Sequence, residues 1–112
     1  RMELIGAAGL RMTRGDDETL IVSCPDRPFA PGDVVELTVR RCPGRGAALI
    51  RKRVDAFTED GKAVVCFTPE DTAGLAFGVY SYDVQVTFTD LGVKTIVKPS
   101  DFTVGRENTY DG

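Results

Sequence analysis

The sequence of this chain shows no arrangement of residues that is typical of catalysis or metal binding. The 112 residues contain no histidine, which removes the commonest general base and the commonest metal ligand. Cys24, Cys42 and Cys66 have no CxxC spacing, so a zinc site is not expected. No GxSxG, P-loop or dinucleotide-binding glycine pattern is present. We therefore expect no catalytic, cofactor-binding or metal-binding residue, and we expect that the domain is not an enzyme.

Carboxylates cluster at Asp16-Asp17-Glu18, Glu59-Asp60 and Glu70-Asp71. Calcium takes oxygen ligands from loop carboxylates, so a calcium site is one interpretation. None of these clusters follows the EF-hand spacing, and charged turns are usually just solvated. The sequence favours the solvated interpretation, and no cofactor is predicted.

The tripeptide Arg14-Gly15-Asp16 matches the integrin-binding motif. A match of three residues arises often by chance, and Gly-Asp before a strand is ordinary turn chemistry. The sequence favours a turn.

Basic side chains concentrate in one predicted hairpin: Arg40, Arg41, Arg45, Arg51, Lys52 and Arg53. One interpretation is a binding patch for nucleic acid or an acidic partner. The other is that these side chains protect an edge strand, because charged residues on such a strand prevent another chain from pairing with it. No aromatic residue interleaves with them to stack bases, and the net charge of the chain is −3. Edge protection is favoured, and no nucleic-acid partner is predicted.

The three cysteines leave at least one thiol unpaired. Cys24 and Cys66 lie in β-prone runs, where a buried reduced thiol packs as a small apolar group. Cys42 adjoins a Pro-Gly loop and is expected to be more exposed. We predict three free thiols and synthesis in a reducing compartment.

The clearest structural pattern in the sequence is a period of two. Five apolar residues alternate with Ser81, Asp83, Gln85 and Thr87: Tyr80, Tyr82, Val84, Val86 and Phe88. This pattern predicts a half-buried strand. The turn residues that follow and the β-prone run Val93–Val97 predict an antiparallel hairpin.

Similar short runs, each ended by turn residues, extend along the chain. Strands are expected over Leu10–Thr13, Thr19–Cys24, Val34–Arg41, Ala48–Val54, Ala63–Thr68, the hairpin and Phe102–Val104. Three prolines exclude a central strand over Pro25–Asp33, Pro69 opens a helical turn, and Pro99-Ser100-Asp101 breaks the last strand. The connections are too short for parallel crossovers, so seven or eight strands predict an all-β, largely antiparallel sandwich.

Length and composition predict one domain with polar or loosely attached ends. We assign residues 1–9 to an N-terminal arm or linker, 10–105 to the sandwich and 106–112 to a polar tail. The chain has no run of about 18 apolar residues, so no membrane partner is predicted.

The segment Asp71-Thr72-Ala73 followed by Gly78-Val79-Tyr80 resembles the entry to strand F of immunoglobulin domains. Tyr82 stands where those domains have their second cysteine, and the chain contains no tryptophan. The resemblance predicts that Tyr80 forms a tyrosine corner, with its hydroxyl bonded to the backbone of Asp71–Leu75.

The order of all these features, from Leu10 to Val104, resembles the immunoglobulin-like N-terminal domain of the phage baseplate upper protein family. The most specific part runs from Thr68-Pro69-Glu70-Asp71-Thr72 to Thr95-Ile96-Val97. The resemblance implies a structural module of a phage or prophage tail or baseplate, made in the bacterial cytoplasm and located in the virion. Its partners would be other tail proteins or further copies of itself.

A second hypothesis is a carbohydrate-binding or adhesive sandwich domain. Sandwiches commonly present loops to ligands, and three aromatic residues fall in predicted loops: Phe29, Phe77 and Tyr110.

Overall fold

The computed structural model describes residues 2–5 and 9–106, and most of the regular structure there is β-strand. Eight strands and one helix follow one another: β1 Met2–Ile5, β2 Leu10–Thr13, β3 Glu18–Ser23, β4 Val34–Arg40, β5 Ile50–Val54, β6 Ala63–Phe67, α1 Pro69–Ala73, β7 Gly78–Phe88 and β8 Gly92–Gly105. Part of the predicted arm 1–9 thus forms β1. Residues 6–8 of that arm and residues 107–112 of the predicted tail lie outside the described residues.

The strands form two sheets that enclose one core. The smaller sheet has the order β1-β3-β6, and the larger one has the order β2-β8-β7-β4-β5. This arrangement confirms the predicted all-β sandwich. Among the described residues no helix is long and apolar enough to cross a membrane, since α1 has five residues.

Most strand pairs are antiparallel, as predicted. β4 pairs with β5 and β7, β7 pairs with β8, and β3 pairs with β6, all in antiparallel register. The two strands nearest the amino terminus are exceptions, because β1 runs parallel to β3 and β2 runs parallel to β8. The short connections between consecutive strands did not exclude these parallel pairs, since each pair joins strands that are not consecutive in the chain.

Alternation along β4 and β7 builds most of the core, as the period of two predicted. Every second side chain of these strands is buried: Val35, Leu37, Val39, Tyr80, Tyr82, Val84, Val86 and Phe88. Leu20 and Val22 of β3 and Val65 and Phe67 of β6 pack against them from the smaller sheet. Burying one such side chain stabilises the fold by about 1.5–3 kcal/mol, so a register slip of one residue would be strongly unfavourable.

The predicted break in the last strand is wrong. The sequence indicates a stop at Pro99-Ser100-Asp101, yet β8 continues through it to Gly105. The proline is accommodated because the register with β7 shifts between Tyr82 and Val84, so Pro99 pairs with no residue of β7. On its other side β8 pairs with β2 only from Phe102 onward, so no ladder bond is lost there.

The proline-rich segment before β4 is a loop, and it closes one end of the sandwich. Phe29 is buried, with ring centroids 5.3 Å from Phe57 and 6.2 Å from Phe88. Asp33 is fully buried and accepts backbone N–H bonds from Ala30 at 2.8 Å and Thr89 at 3.0 Å. These contacts tie the loop to the β7–β8 turn.

Arg27 completes this arrangement by pairing with two carboxylates. Its guanidinium bonds to both oxygens of Asp33, and its Nη2 lies 2.9 Å from Asp90 Oδ1. Burial acts to raise the pKa of Asp33, but the bonds from Ala30, Thr89 and Arg27 outweigh it and hold the pKa below its ordinary value.

The connection between α1 and β7 carries the predicted tyrosine corner. Pro69 opens α1 as expected, and the Thr68 N–H donates to Asp71 Oδ2 at 2.8 Å. Tyr80 is buried, and its hydroxyl donates to the Ala76 carbonyl at 2.8 Å. The acceptor lies one residue beyond the predicted segment Asp71–Leu75.

We expect Tyr80→Phe to lower the free energy of unfolding by about 0.5–1.5 kcal/mol, because one hydrogen bond is lost and water can reach the exposed Ala76 carbonyl. Tyr80→Ala also leaves a cavity and should cost about 3–5 kcal/mol. Urea denaturation of the two variants checks both values. A Tyr80→Phe variant that unfolds at the wild-type urea concentration would show that the corner contributes nothing.

Asp33 should make the fold sensitive to acid. The pKa of Asp33 is lower in the folded state than its ordinary value of 3.8. The ionised carboxylate therefore stabilises the folded state fully above pH 3.8, and this stabilisation is lost as the pH falls through the folded-state pKa. At neutral pH, Asp33→Asn should lose about 1–3 kcal/mol, since buried donors lose their acceptor. Urea denaturation at pH 7 and near pH 3 should show that the wild-type protein and Asp33→Asn differ less in free energy of unfolding at the lower pH. A constant difference would contradict this.

Candidate functional site

The two outer faces of the sandwich differ in chemistry. Because side chains alternate along a strand, the residues between the core positions point away from the core. On the larger sheet these residues are mostly charged or hydrogen-bonding. On β3 and β6 of the smaller sheet they are uncharged. Each face is a candidate for a different kind of contact.

A hollow of about 270 Å³ lies on the outer face of the larger sheet, and we call it the polar concavity. It is formed by outward side chains of four neighbouring strands and by the loop after β4. The lining residues are Glu36, Thr38, Arg40, Gly44, Arg51, Asp83, Gln85, Thr95 and Pro99. The register aligns Arg51, Thr38 and Asp83 across β5, β4 and β7, so these three side chains form one row.

The charges that line the polar concavity balance. Arg40 Nη1 lies 2.9 Å from Asp83 Oδ2, and both side chains are mostly shielded from solvent. Within the described part of the chain, Glu36 and Arg51 have no ion pair within 4.0 Å. With two arginines and two carboxylates, the lining has no net formal charge.

Thr38 is the most unusual residue of the concavity. Only 5% of its surface is exposed, yet its hydroxyl makes no hydrogen bond to any described residue. Close by, Gln85 Nε2 donates to Thr95 Oγ1 at a long 3.5 Å. Buried hydroxyls normally have a partner, so this one is a group for which a bound molecule could provide one.

The second candidate surface, which we call the β3–β6 face, is the part of the outer side of the smaller sheet that β3 and β6 form. It consists of Thr19, Ile21, Ser23, Val64 and Cys66, with Thr19 opposite Cys66 and Ile21 opposite Val64. Ile21 is buried but does not belong to the core cluster, whereas Val64 and Cys66 are exposed. No member of this face carries a charge.

Cys66 corrects one prediction from the sequence. All three thiols are free, as expected, and Cys42 is exposed and Cys24 half-buried at the end of β3. The expected burial of Cys66 is wrong, because β6 is an edge strand that buries only alternate residues. The uninterrupted apolar run of β6 concealed this alternation, since Val64 and Cys66 face outward.

The acidic clusters form no metal site within residues 2–5 and 9–106, where no group of three potential ligands occurs. Asp71 lies 2.7 Å from Lys52 Nζ. Burial acts to raise the pKa of Asp71, but the bonds from Lys52 and Thr68 outweigh it and hold the pKa below its ordinary value. Asp60 accepts from the Thr58 hydroxyl, which lowers its pKa too. These carboxylates therefore serve local contacts.

The basic hairpin lies at the edge of the larger sheet, where β5 is the last strand. Several of its cations pair with carboxylates of the same chain: Arg40 with Asp83, Lys52 with Asp71 and Arg53 with Asp55. Arg51 and Arg53 point outward from β5, as the alternation predicted. This placement fits a guarded edge.

The Arg14-Gly15-Asp16 turn is attached to the segment around α1. Arg14 Nη1 donates to the Leu75 carbonyl at 3.2 Å, and the Gly15 N–H donates to the Thr72 hydroxyl at 3.0 Å. The Arg14 guanidinium also lies 4.1 Å from the centre of the Phe77 ring. An arginine held in this way is not extended toward a receptor.

The predicted loop aromatics do not form a stacking surface. Phe29 is buried in the core, and Phe77 has Arg106 as well as Arg14 against its ring. Tyr110 lies outside the described residues. A sugar that stacked on Phe77 would therefore compete with two guanidinium groups for its ring.

A larger hollow of about 450 Å³ lies between the proline-rich loop and residues 55–59. Phe29, Pro31, Ala56 and Phe57 give it apolar walls, with Glu59 at its margin. Asp55 and Thr58 also line it, so the hollow combines apolar walls with a few polar side chains.

Comparison with known proteins gives no relative for this chain. No family model, no curated protein and no solved structure matches the sequence. The resemblance to the phage baseplate upper protein family therefore stays a prediction from the sequence.

Neither candidate surface was predicted as a site. The outward positions Glu36, Thr38 and Arg40, and likewise Asp83 and Gln85, follow from the alternation. Their meeting in one hollow depends on the register between β4 and β7, which no local pattern specifies.

Thr38→Val should raise the free energy of unfolding by about 1 kcal/mol, because a buried hydroxyl without a partner is replaced by a methyl group of similar shape. Thr87→Val is the matched control: Thr87 is exposed on the same face of the sheet, and its change should stay within about 0.5 kcal/mol. Urea denaturation compares the two. If Thr38→Val destabilises the protein, the hydroxyl has a structural partner.

Proposed function

We propose that this domain is a non-enzymatic assembly module that acts through protein–protein contacts, and that the β3–β6 face is its contact surface. The observation that carries the proposal is the absence of charge among the outward residues of β3 and β6, where Val64 and Cys66 are exposed. Exposed apolar groups next to one another on a sheet face are typical of surfaces that another protein covers.

The edge of the smaller sheet supports the same conclusion. From Ala63 to Phe67, β6 has no charged residue, no proline and no bulge. By contrast, the β5 edge carries Arg51 and Arg53, and the free part of β8 carries Lys94, Lys98 and Pro99. Proteins guard strand edges in this way to prevent association, so the unguarded edge is the one open to a partner.

The partner we propose is a second copy of the domain. The chain has a net charge of −3, so two copies repel each other least where they meet through uncharged surfaces. Two such faces can pack at the usual separation of about 10 Å between sheets. The closely related alternative is a neighbouring protein of the same assembly.

The biological setting we propose is a phage or prophage tail or baseplate, with the protein located in the virion. The support is the resemblance of Leu10–Val104 to the immunoglobulin-like domain of the baseplate upper protein family, together with the lack of catalytic side chains in the sequence. Genes for tail proteins, holins and lysins next to the coding sequence would agree with this setting. A neighbourhood of unrelated metabolic genes would contradict it.

Cys66 provides a direct test of the contact surface. A variant that retains only Cys66, with Cys24→Ser and Cys42→Ser, should form a disulfide-linked dimer under mild copper–phenanthroline oxidation. Its matched control retains only Cys42, which is also an exposed thiol but lies in the loop after β4 and not on the smaller sheet. The measurement is the dimer fraction on a non-reducing gel.

Val64→Lys in the Cys66-only protein should lower the dimer fraction several-fold, because it places a charge in the contact. Its stability should stay within about 0.5 kcal/mol, since Val64 is exposed. Equal cross-linking through Cys42 and Cys66 would mean random collision and would contradict self-association through this face.

A further inference from the structure

We propose that the polar concavity binds an uncharged saccharide ring. This site lies on the larger sheet, so it is separate from the β3–β6 face and does not depend on the assembly function. It also differs from the predicted loop site, because none of its lining residues is aromatic. Three properties of the concavity support the inference.

The first property is the missing partner of Thr38. Its hydroxyl lines the hollow, is almost fully buried and makes no hydrogen bond within the described chain. A group that is both a donor and an acceptor can be satisfied by a ligand hydroxyl that donates or accepts. A ligand hydroxyl in the hollow would thus gain a hydrogen bond from this residue.

The second property is the mixture of donors and acceptors beside it. Asp83 uses Oδ2 to accept from Arg40, while its Oδ1 accepts no hydrogen bond from any residue that the structure describes. On either side, the Arg51 guanidinium offers donors, and Glu36 offers acceptors. Each hydroxyl of a sugar ring can both donate and accept a hydrogen bond. Neighbouring hydroxyls of the ring therefore match a row of side chains in which acceptors and donors alternate.

The third property is the balance of charge and the size. The lining has two arginines and two carboxylates, so a phosphate or another multiply charged anion gains little there and is repelled by Glu36 and Asp83. Few apolar side chains line the hollow, which disfavours an apolar ligand. Its volume of about 270 Å³ is just below the range of pockets that take drug-sized ligands, which fits a small ligand such as a monosaccharide unit.

The absence of an aromatic platform determines the expected affinity. Without stacking, the sugar is held by hydrogen bonds that replace hydrogen bonds to water, and the net gain from each is small. The dissociation constant should therefore be in the millimolar range and depend on the orientation of the sugar hydroxyls.

The test is a titration of the isotope-labelled domain, followed by amide chemical shifts. The probes are the methyl glycosides of glucose, galactose and mannose, each raised to high millimolar concentration, with inorganic phosphate and glucuronate for comparison. At least one neutral glycoside should shift the amides of Thr38, Asp83 and Gln85 in a saturable way. It should do so more strongly than phosphate or glucuronate.

Two variants and a control separate binding from folding. Thr38→Val should weaken the binding of that glycoside about tenfold, the loss of one hydrogen bond, while the protein stays folded. Asp83→Asn should weaken it at least as much. Thr87→Val, on the same face but outside the hollow, should leave affinity unchanged within about twofold.

Three outcomes would overturn the proposal. The first is that none of the three neutral glycosides shifts these amides. The second is that phosphate or glucuronate binds more tightly than every neutral glycoside, which would make the hollow an anion site. The third is that Thr38→Val and Thr87→Val bind equally well, which would place the sugar elsewhere.

Discussion

The burial of one face of β7 is the constraint on which the rest of the fold depends. This strand pairs with β4 on one side and β8 on the other, and five of its side chains enter the core. If β7 slipped by one residue against its neighbours, all five side chains would leave the core. Their burial therefore fixes the register of β7 with β4 and with β8. The tyrosine corner at one end and the Asp33 contacts at the other hold this strand between α1 and the proline-rich loop.

The same alternation determines the chemistry of the outer surface. Residues that separate the core positions of β7 must face outward, so the burial of Tyr82 and Val84 places Asp83 beside Thr38 and Arg40 of β4. On β3 and β6 the intervening residues are uncharged, so these two strands present an outer surface of a different kind. One sandwich thus carries two outer faces of unlike chemistry.

Local sequence patterns predicted those structural features that depend on residues close together in the chain. The hairpin strand, the helical turn at Pro69 and the partnered hydroxyl of Tyr80 all follow from residues close together in sequence. The continuity of β8 through Pro99 could not be predicted in this way, because it depends on a register shift against β7. The exposure of Cys66 depends on β6 lying at an edge, and the polar concavity depends on the alignment of β4 with β7.

The parallel pairing of β2 with β8 has a mechanical consequence. Tension applied through the chain before Leu10 and after Gly105 pulls these two strands in opposite directions along their common axis. The four register pairs from Leu10–Phe102 to Thr13–Gly105 are then loaded together in shear, rather than opened one after another. A patch loaded in this geometry resists extension, because its pairs must fail together before the buried side chains of β2 and β8 can leave the core.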